Sequence, residues 1–323
     1  MNIAMIRAAA ERLAGHVRNT PLLNSPFLDR IAGRRLWVKP ECLQHTGSFK
    51  YRGARAALSA MEPHVRARGV VAVSSGNHAQ GVARAAAEFG VPAVIVMPSD
   101  APRLKIANTR DLGAEVVLYE RASEDRDAIG AALAVERGLT LVKPFDDSQV
   151  IAGQGTVGLE IAAAAAEAGV GRAEVLVPCG GGGLTGGVAL ALASEAPGFR
   201  VRPVEPEGFD DVKRSLEAGR IETNREAAGS ICDAIVTPSP GEITFPILKA
   251  HCGPGLVVSE RDCLHAMALA FSRLKIVIEP GGAAALAAAL FQPEALEGGD
   301  VVVVASGGNV DAALFSGALR RFA

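Results

Sequence analysis

Short β-branched runs separated by helix-length stretches recur along this chain, and that alternation limits the fold more than any other feature. Val70–Val73 precedes a helical stretch over 78–89. A second run, 92–97, precedes a helical pattern over 102–112. Runs at 115–118 and 139–142 bracket a helix near 124–137. An alanine-rich helix over 148–168 leads to a strand at 174–177, a glycine-rich loop, a helix to about Ser194 and a strand at 201–204. Leu256–Val258 and 301–304 read as further strands, with helices near 261–275 and 282–291 between them. Repeated βα alternation predicts parallel sheets covered by helices. With 323 residues and neither a repeat nor a low-complexity linker, the expected α/β fold is two open lobes sharing one cleft. Open α/β sheets bind ligands at the carboxyl ends of strands, so the loops after strands are where chemistry is expected.

Composition removes several function classes. Lys+Arg is 33 and Asp+Glu 35, a formal charge of −2, which leaves no basic surface for nucleic acid or for a polybasic membrane anchor. Aromatics are only 4%, too few for base stacking. No apolar run reaches the roughly 20 residues of a membrane span. The N-terminal stretch carries acid and base inside its apolar pattern, so it reads as an amphipathic helix and not a signal peptide. The five cysteines are widely spaced without a CxxC, which predicts reduced thiols in a cytoplasmic protein. Lysines number only seven, so a lysine chemistry has few candidates.

Three loops carry candidate chemistry. In the run 46–53, Lys50 sits among small polar residues at an expected helix start. A helix N-terminus disfavours a cation and lowers a lysine pKa, and a neutral amine is the form that condenses with a carbonyl. Ser74-Ser75-Gly76-Asn77-His78 follows Val70–Val73 and offers an anion cradle, or simple N-capping by Ser75 or Asn77. Cys179-Gly180-Gly181-Gly182-Gly183-Leu184 lets backbone N–H groups converge on an anion at a helix N-terminus. The same loop satisfies GxGxxG at Gly181, Gly183 and Gly186, with Glu205 about 20 residues on. A dinucleotide-binding oxidoreductase is therefore an alternative, although it leaves Lys50 and the serine loop without a role.

Taken together and in order, SFKYRGA from Ser48, SSGNH from Ser74, CGGGGL from Cys179 and SGGN from Ser306 resemble the fold type II pyridoxal-phosphate enzymes, the tryptophan synthase β-like fold. The resemblance is greatest to the threonine/serine dehydratase and serine racemase group and runs from Pro21 to about Asp311. It implies that Lys50 forms a Schiff base with pyridoxal 5'-phosphate and removes the substrate α-proton. It puts the cofactor phosphate on the N–H groups of Gly180, Gly181, Gly182, Gly183 and Leu184. Asn77 would bond the cofactor's 3-oxygen and Ser306 would face the pyridine nitrogen, or cap a helix. Ser75, Asn77 and His78 would hold the substrate carboxylate, and Ser75 is the acid–base on the opposite face in racemase-like members. The implied reaction is β-elimination of water from L-threonine or L-serine, giving a 2-oxo acid and ammonia. Serine racemase and 3-hydroxyaspartate dehydratase are the family alternatives, and a homodimer or higher homo-oligomer is the expected assembly.

The resemblance also implies a divalent cation, Mg²⁺ or Ca²⁺, held by Glu205, the Phe209 carbonyl and Asp211, a donor set suited to a hard cation. An acidic loop with Asp210 as helix cap is the plainer reading. Ser230–Ala234 would line the substrate side and Glu279–Gly282 would pack near the cofactor ring. Arg126 would meet a second carboxylate if the substrate were hydroxyaspartate, and otherwise belongs to a solvated helix face. Phe145 is a pocket-wall or core aromatic. Residues 61–146 are the expected small lobe, and 1–60 with 147–323 the large one. The sequence ends soon after Asn309, where biosynthetic dehydratases continue into a regulatory domain, so isoleucine feedback of that kind is not expected.

Overall fold

In the computed structural model, which describes residues 1–101, 103–226 and 228–322, the β-branched runs pair into two sheets. The strands are β1 Leu23–Asn24, β2 Arg35–Lys39, β3 Val70–Val73, β4 Ala93–Pro98, β5 Glu115–Tyr119, β6 Thr140–Leu141, β7 Ala173–Pro178, β8 Phe199–Pro206, β9 Leu256–Val258 and β10 Asp300–Val304. The six-stranded sheet runs β1-β2-β10-β7-β8-β9, with β1 joined antiparallel and the other pairs parallel. The four-stranded sheet runs β5-β4-β3-β6 and is parallel throughout.

Sheets with both faces covered need continuous apolar strands rather than alternating ones. β7 is buried at every position, and so are Val301 to Val304 of β10. The helix Pro280–Phe291 is buried from Pro280 to Leu290, as an alanine- and leucine-rich helix without a polar face must be. The helices Ser148–Glu167 and Gly183–Glu195 pack closely. A Cβ at Gly187 would come within 2.6 Å of the Ile151 carbonyl, so glycine there sets their separation.

β2 is absent from the sequence expectation because charged residues end it. Lys39 reads as a surface residue, yet it is fully buried and paired with Glu160 at 2.6 Å. The helix expected from 124 starts at Arg126, because the Asp125 carboxylate accepts hydrogen bonds from Asp127 N and Ala128 N and fixes the start there. The helix expected over 102–112 is observed over Arg103–Asp111, and Pro102 lies outside the described residues.

The connections that matter leave the carboxyl ends of strands. β2 leads to Lys50, β3 to Ser74–His78, β6 to Phe145, β7 to the glycine run, β8 to 207–210 and β10 to Ser306–Asn309. Cross-bonds tie the first of them to the last, and the last to Glu279. Phe49 N donates to Ser306 O at 3.1 Å, Gly308 N to Gly47 O at 2.9 Å, and Glu279 N to Gly307 O at 3.0 Å.

Candidate active site

Lys50 is the first residue of the helix Lys50–Ala60. Its Nζ donates to the Pro144 carbonyl at 2.7 Å. The amine is lowered to about 8, by burial rather than by a neighbouring cation, and Glu279 partly opposes the shift. A lysine in this state releases its proton far more readily than a solvated one.

Lys50 opens on a cavity of about 620 Å³ that Ser75, Asn77 and His78 also line. The N-cap of the helix Asn77–Phe89 is Gly76, without a side-chain bond, so neither Ser75 nor Asn77 serves as the cap. Among the described residues the backbone N–H groups of Ser75, Asn77 and His78 donate to no protein acceptor. They form a row of free donors at a helix N-terminus, which suits a carboxylate. The His78 ring has a different part. Its Nε2 lies 2.9 Å from the Val142 carbonyl, which can only accept. Burial, with the Lys50 charge behind it, pushes His78 down to about 3, so the ring is neutral and its buried Nδ1 carries only a lone pair. Such a ring cannot donate to a carboxylate. The expected contact from His78 is left to its backbone N–H.

The glycine run is built as an anion cradle. Among the described residues, none of the N–H groups from Gly180 to Thr185 has a protein acceptor. Gly182 has φ +90°, a conformation that favours glycine, and it precedes the helix Gly183–Glu195. Neither the run Gly180–Leu184 nor Ser306 lines the cavity itself. Phe145 does, and it packs on Gly181 and Gly183, where a Cβ would run into its ring or backbone. Ser306 is buried, and its carbonyl receives Phe49 N. It caps no helix, because the next one, Ala312–Phe322, begins later and takes its first bonds from Asp311.

These residues fit pyridoxal phosphate. A readily neutralised amine suits its aldehyde, and a helix N-terminus with unpaired N–H donors suits its phosphate. They fit a dinucleotide poorly. The Glu205 carboxylate, which would have to reach a ribose, instead accepts from Val212 N and Lys213 N at 2.8 Å each. It caps the helix Asp211–Ala218 from the preceding strand, so the expected cap Asp210 makes no capping bond. Asp211 keeps one oxygen on Asn224 Nδ2 at 2.6 Å, while Oδ2 is buried without a partner.

Three site residues had little or no assigned role in the sequence. Glu279 lines the cavity, is nearly fully buried and accepts from Asn77 Nδ2 at 2.6 Å. Burial raises its carboxyl to about 7. Asn309 Nδ2 donates to Asn77 Oδ1 at 2.6 Å. Lys143 lines the same cavity, and among the described residues its amine makes no hydrogen bond or ion pair. Arg126 also lines the cavity while remaining about half exposed, so it belongs to both the helix surface and the site. Asp233 and Ala234 form part of the opposite wall.

Comparison with known proteins agrees with this geometry. The profile of a family described as pyridoxal-phosphate dependent enzymes matches residues 13–307. An L-threo-3-hydroxyaspartate ammonia-lyase from Pseudomonas sp is 42% identical over 97% of this chain and 96% of its own length. The crystal structure of a threonine deaminase from T.th. is 47% identical, with a TM-score of 0.91, over 96% of this chain and 99% of that one. The structure of maize serine racemase is 34% identical, also at TM-score 0.91, over 99% and 97% of the two chains. The oxidoreductase alternative has no support among these relatives. On its fold, its motifs and these relatives, the chain belongs to the pyridoxal-phosphate dependent enzymes of fold type II.

Proposed function

We propose that this protein is an ammonia-lyase that dehydrates and deaminates L-threonine or L-serine to a 2-oxo acid and ammonia. The observation that carries the reading is the buried Lys50 amine, lowered to about 8, facing the same cavity as the free N–H groups of Ser75, Asn77 and His78. Bound pyridoxal phosphate supplies the electron sink for the α-carbanion. The chain's own residues do the rest. The loop 75–78 holds the substrate carboxylate and so orients the Cα–H bond. Lys50 Nζ takes the α-proton. The Gly180–Leu184 N–H groups hold the cofactor phosphate, and Ser306 faces the ring nitrogen. The lobe 61–146 closes on the lobe formed by 1–60 and 147–323, which excludes water.

A second reading has its own observation. Arg126 and the unpaired Lys143 line the cavity, and they would complement the extra carboxylate of L-threo-3-hydroxyaspartate. Ser75, in the same cavity, keeps serine racemization as a third. Purified holoenzyme is given L-threonine, L-serine and L-threo-3-hydroxyaspartate separately, and 2-oxo acid and D-amino acid are measured. Release of 2-oxobutyrate or pyruvate as the main product supports the first reading. Oxaloacetate from hydroxyaspartate alone replaces it with the second, and D-serine without 2-oxo acid with the third.

We also propose a divalent cation, Mg²⁺ or Ca²⁺, on Glu205, the Phe209 carbonyl and Asp211. Its support is a pair of buried carboxylates with the unpartnered Asp211 Oδ2 between strand and helix. Chelation is expected to lower the unfolding temperature, and Mg²⁺ or Ca²⁺ to restore it. An unchanged transition after verified metal removal would exclude the site. A homodimer is supported by the half-exposed Phe27 and Ile31 on the helix Pro26–Ala32, which packs on the helix Glu260–Leu274 bearing exposed Phe271. The five free thiols fit a reducing, cytoplasmic setting.

A further inference from the structure

We infer that Glu279 is a positioning residue for Asn77: it fixes which end of the Asn77 amide faces the cofactor. This rests on the reading that Asn77 bonds the cofactor's 3-oxygen. An asparagine amide has a donor end and an acceptor end, and a half-turn of its last bond exchanges them. The 3-oxygen requires the donor.

Three neighbours settle the orientation. The Thr46 carbonyl only accepts, so the Asn309 atom 2.8 Å away is Nδ2. The same Nδ2 lies 2.6 Å from Asn77, whose facing atom is therefore the acceptor Oδ1. The other end of Asn77 is then Nδ2, 2.6 Å from Glu279 Oε1. An ionised carboxylate only accepts, so both ends are fixed independently. One N–H of Asn77 goes to Glu279, and the other is left for a ligand in the cavity that both residues line.

Neither helix capping nor a close ion pair accounts for the placing of Glu279. It stands at the N-cap of the helix Pro280–Phe291, yet its carboxylate makes no capping bond. Its residue is only 4% exposed, and among the described residues no cation pairs with it. Burying a carboxylate with no cation in contact is costly, and the Lys105 and Lys50 charges offset only part of that cost. Gly307 leaves room for it, since a Cβ at that position would overlap Glu279 Oε1 and sit 3.0 Å from Asn77 Nδ2.

The test is a double-mutant cycle at pH 8.5, where Glu279 is ionised. The cofactor dissociation constant and the visible absorption band of the bound cofactor are measured for Glu279→Ala, Asn77→Ala, the double variant and Glu279→Gln. Thermal transitions report folding. Each alanine variant is expected to weaken cofactor retention by about threefold to tenfold, the size of one hydrogen bond. The double variant should match Asn77→Ala, because Glu279 acts through Asn77. Glu279→Gln, which still offers an acceptor, should stay within about twofold of wild type. Full additivity, or a wild-type constant and band for Glu279→Ala, overturns the inference. A wild-type constant and band for Asn77→Ala overturns instead the reading beneath it, that Asn77 touches the cofactor. If Glu279→Ala does not fold, Glu279→Asp, whose shorter side chain withdraws the acceptor from Asn77 Nδ2, replaces it in the cycle. Non-additivity with Asn77→Ala is then the expected result, and additivity overturns the inference.

Discussion

Burial moves three titrations in this site away from their ordinary values: Glu279 is raised to about 7, and two others are lowered. Lys50 is lowered to about 8 and His78 to about 3. The sign for Lys50 is direct: a lowered amine pKa increases the neutral fraction as pH rises through 8. Capture of pyridoxal phosphate by the apoprotein should therefore accelerate about tenfold between pH 7 and pH 9, then level off. Stopped-flow absorbance checks this. A rate still climbing about tenfold from pH 8 to pH 9 would mean an ordinary solvated lysine. Lys50 could be picked out in the sequence because lysines are scarce and its loop is distinctive. The cause of its shift could not. The helix N-terminus was the local argument, whereas the burial comes from segments far away in the chain, including Pro144. The bonds of Glu279 and Asn309 to Asn77 escaped for the same reason, although both segments were named from sequence. They span 202 and 232 residues, and no local pattern encodes a contact at that separation.

Among the elements, the helix Lys50–Ala60 is held by an ion cluster under its first turn. Arg52 is fully buried and bonds Glu41 at 2.7 Å and Glu160 at 2.6 Å. Lys39 joins from β2 through Glu160 and the Thr20 carbonyl. Removing Arg52 leaves Glu41 buried without a cation, while Glu160 keeps Lys39, and stranding a buried charge costs about 3–5 kcal/mol. Arg52→Ala should lose stability of that size in equilibrium denaturation and should weaken cofactor binding by shifting Lys50. A loss under about 1 kcal/mol would show that water reaches the cluster. Strands such as β3 and β9 were legible to the residue, because a run buried on both faces is continuously apolar. β2 was not, because its terminal lysine is neutralised by a glutamate on a distant helix. The glycine run announced an anion cradle by itself. That Phe145 packs on its glycines and also lines the cavity follows from the β6 exit, which sequence does not orient.

For the whole molecule, one parallel sheet and one parallel but for β1 place their carboxyl-end loops around one cavity, and that arrangement makes Lys50, Ser75, Asn77 and Glu279 one site. The apolar patch at Phe27, Ile31 and Phe271 lies on other elements, so assembly and catalysis can be separated. Phe27→Asp with Ile31→Asp should halve the mass found by light scattering; an unchanged mass would place the interface elsewhere. The central claim is that Lys50 joins the cofactor and moves the α-proton. Its most direct test compares wild type and Lys50→Ala, both supplied with pyridoxal phosphate and L-threonine, for the visible band of bound cofactor and for 2-oxobutyrate release. The account predicts both signals in wild type and neither in the variant. Equal 2-oxobutyrate release by Lys50→Ala would contradict it.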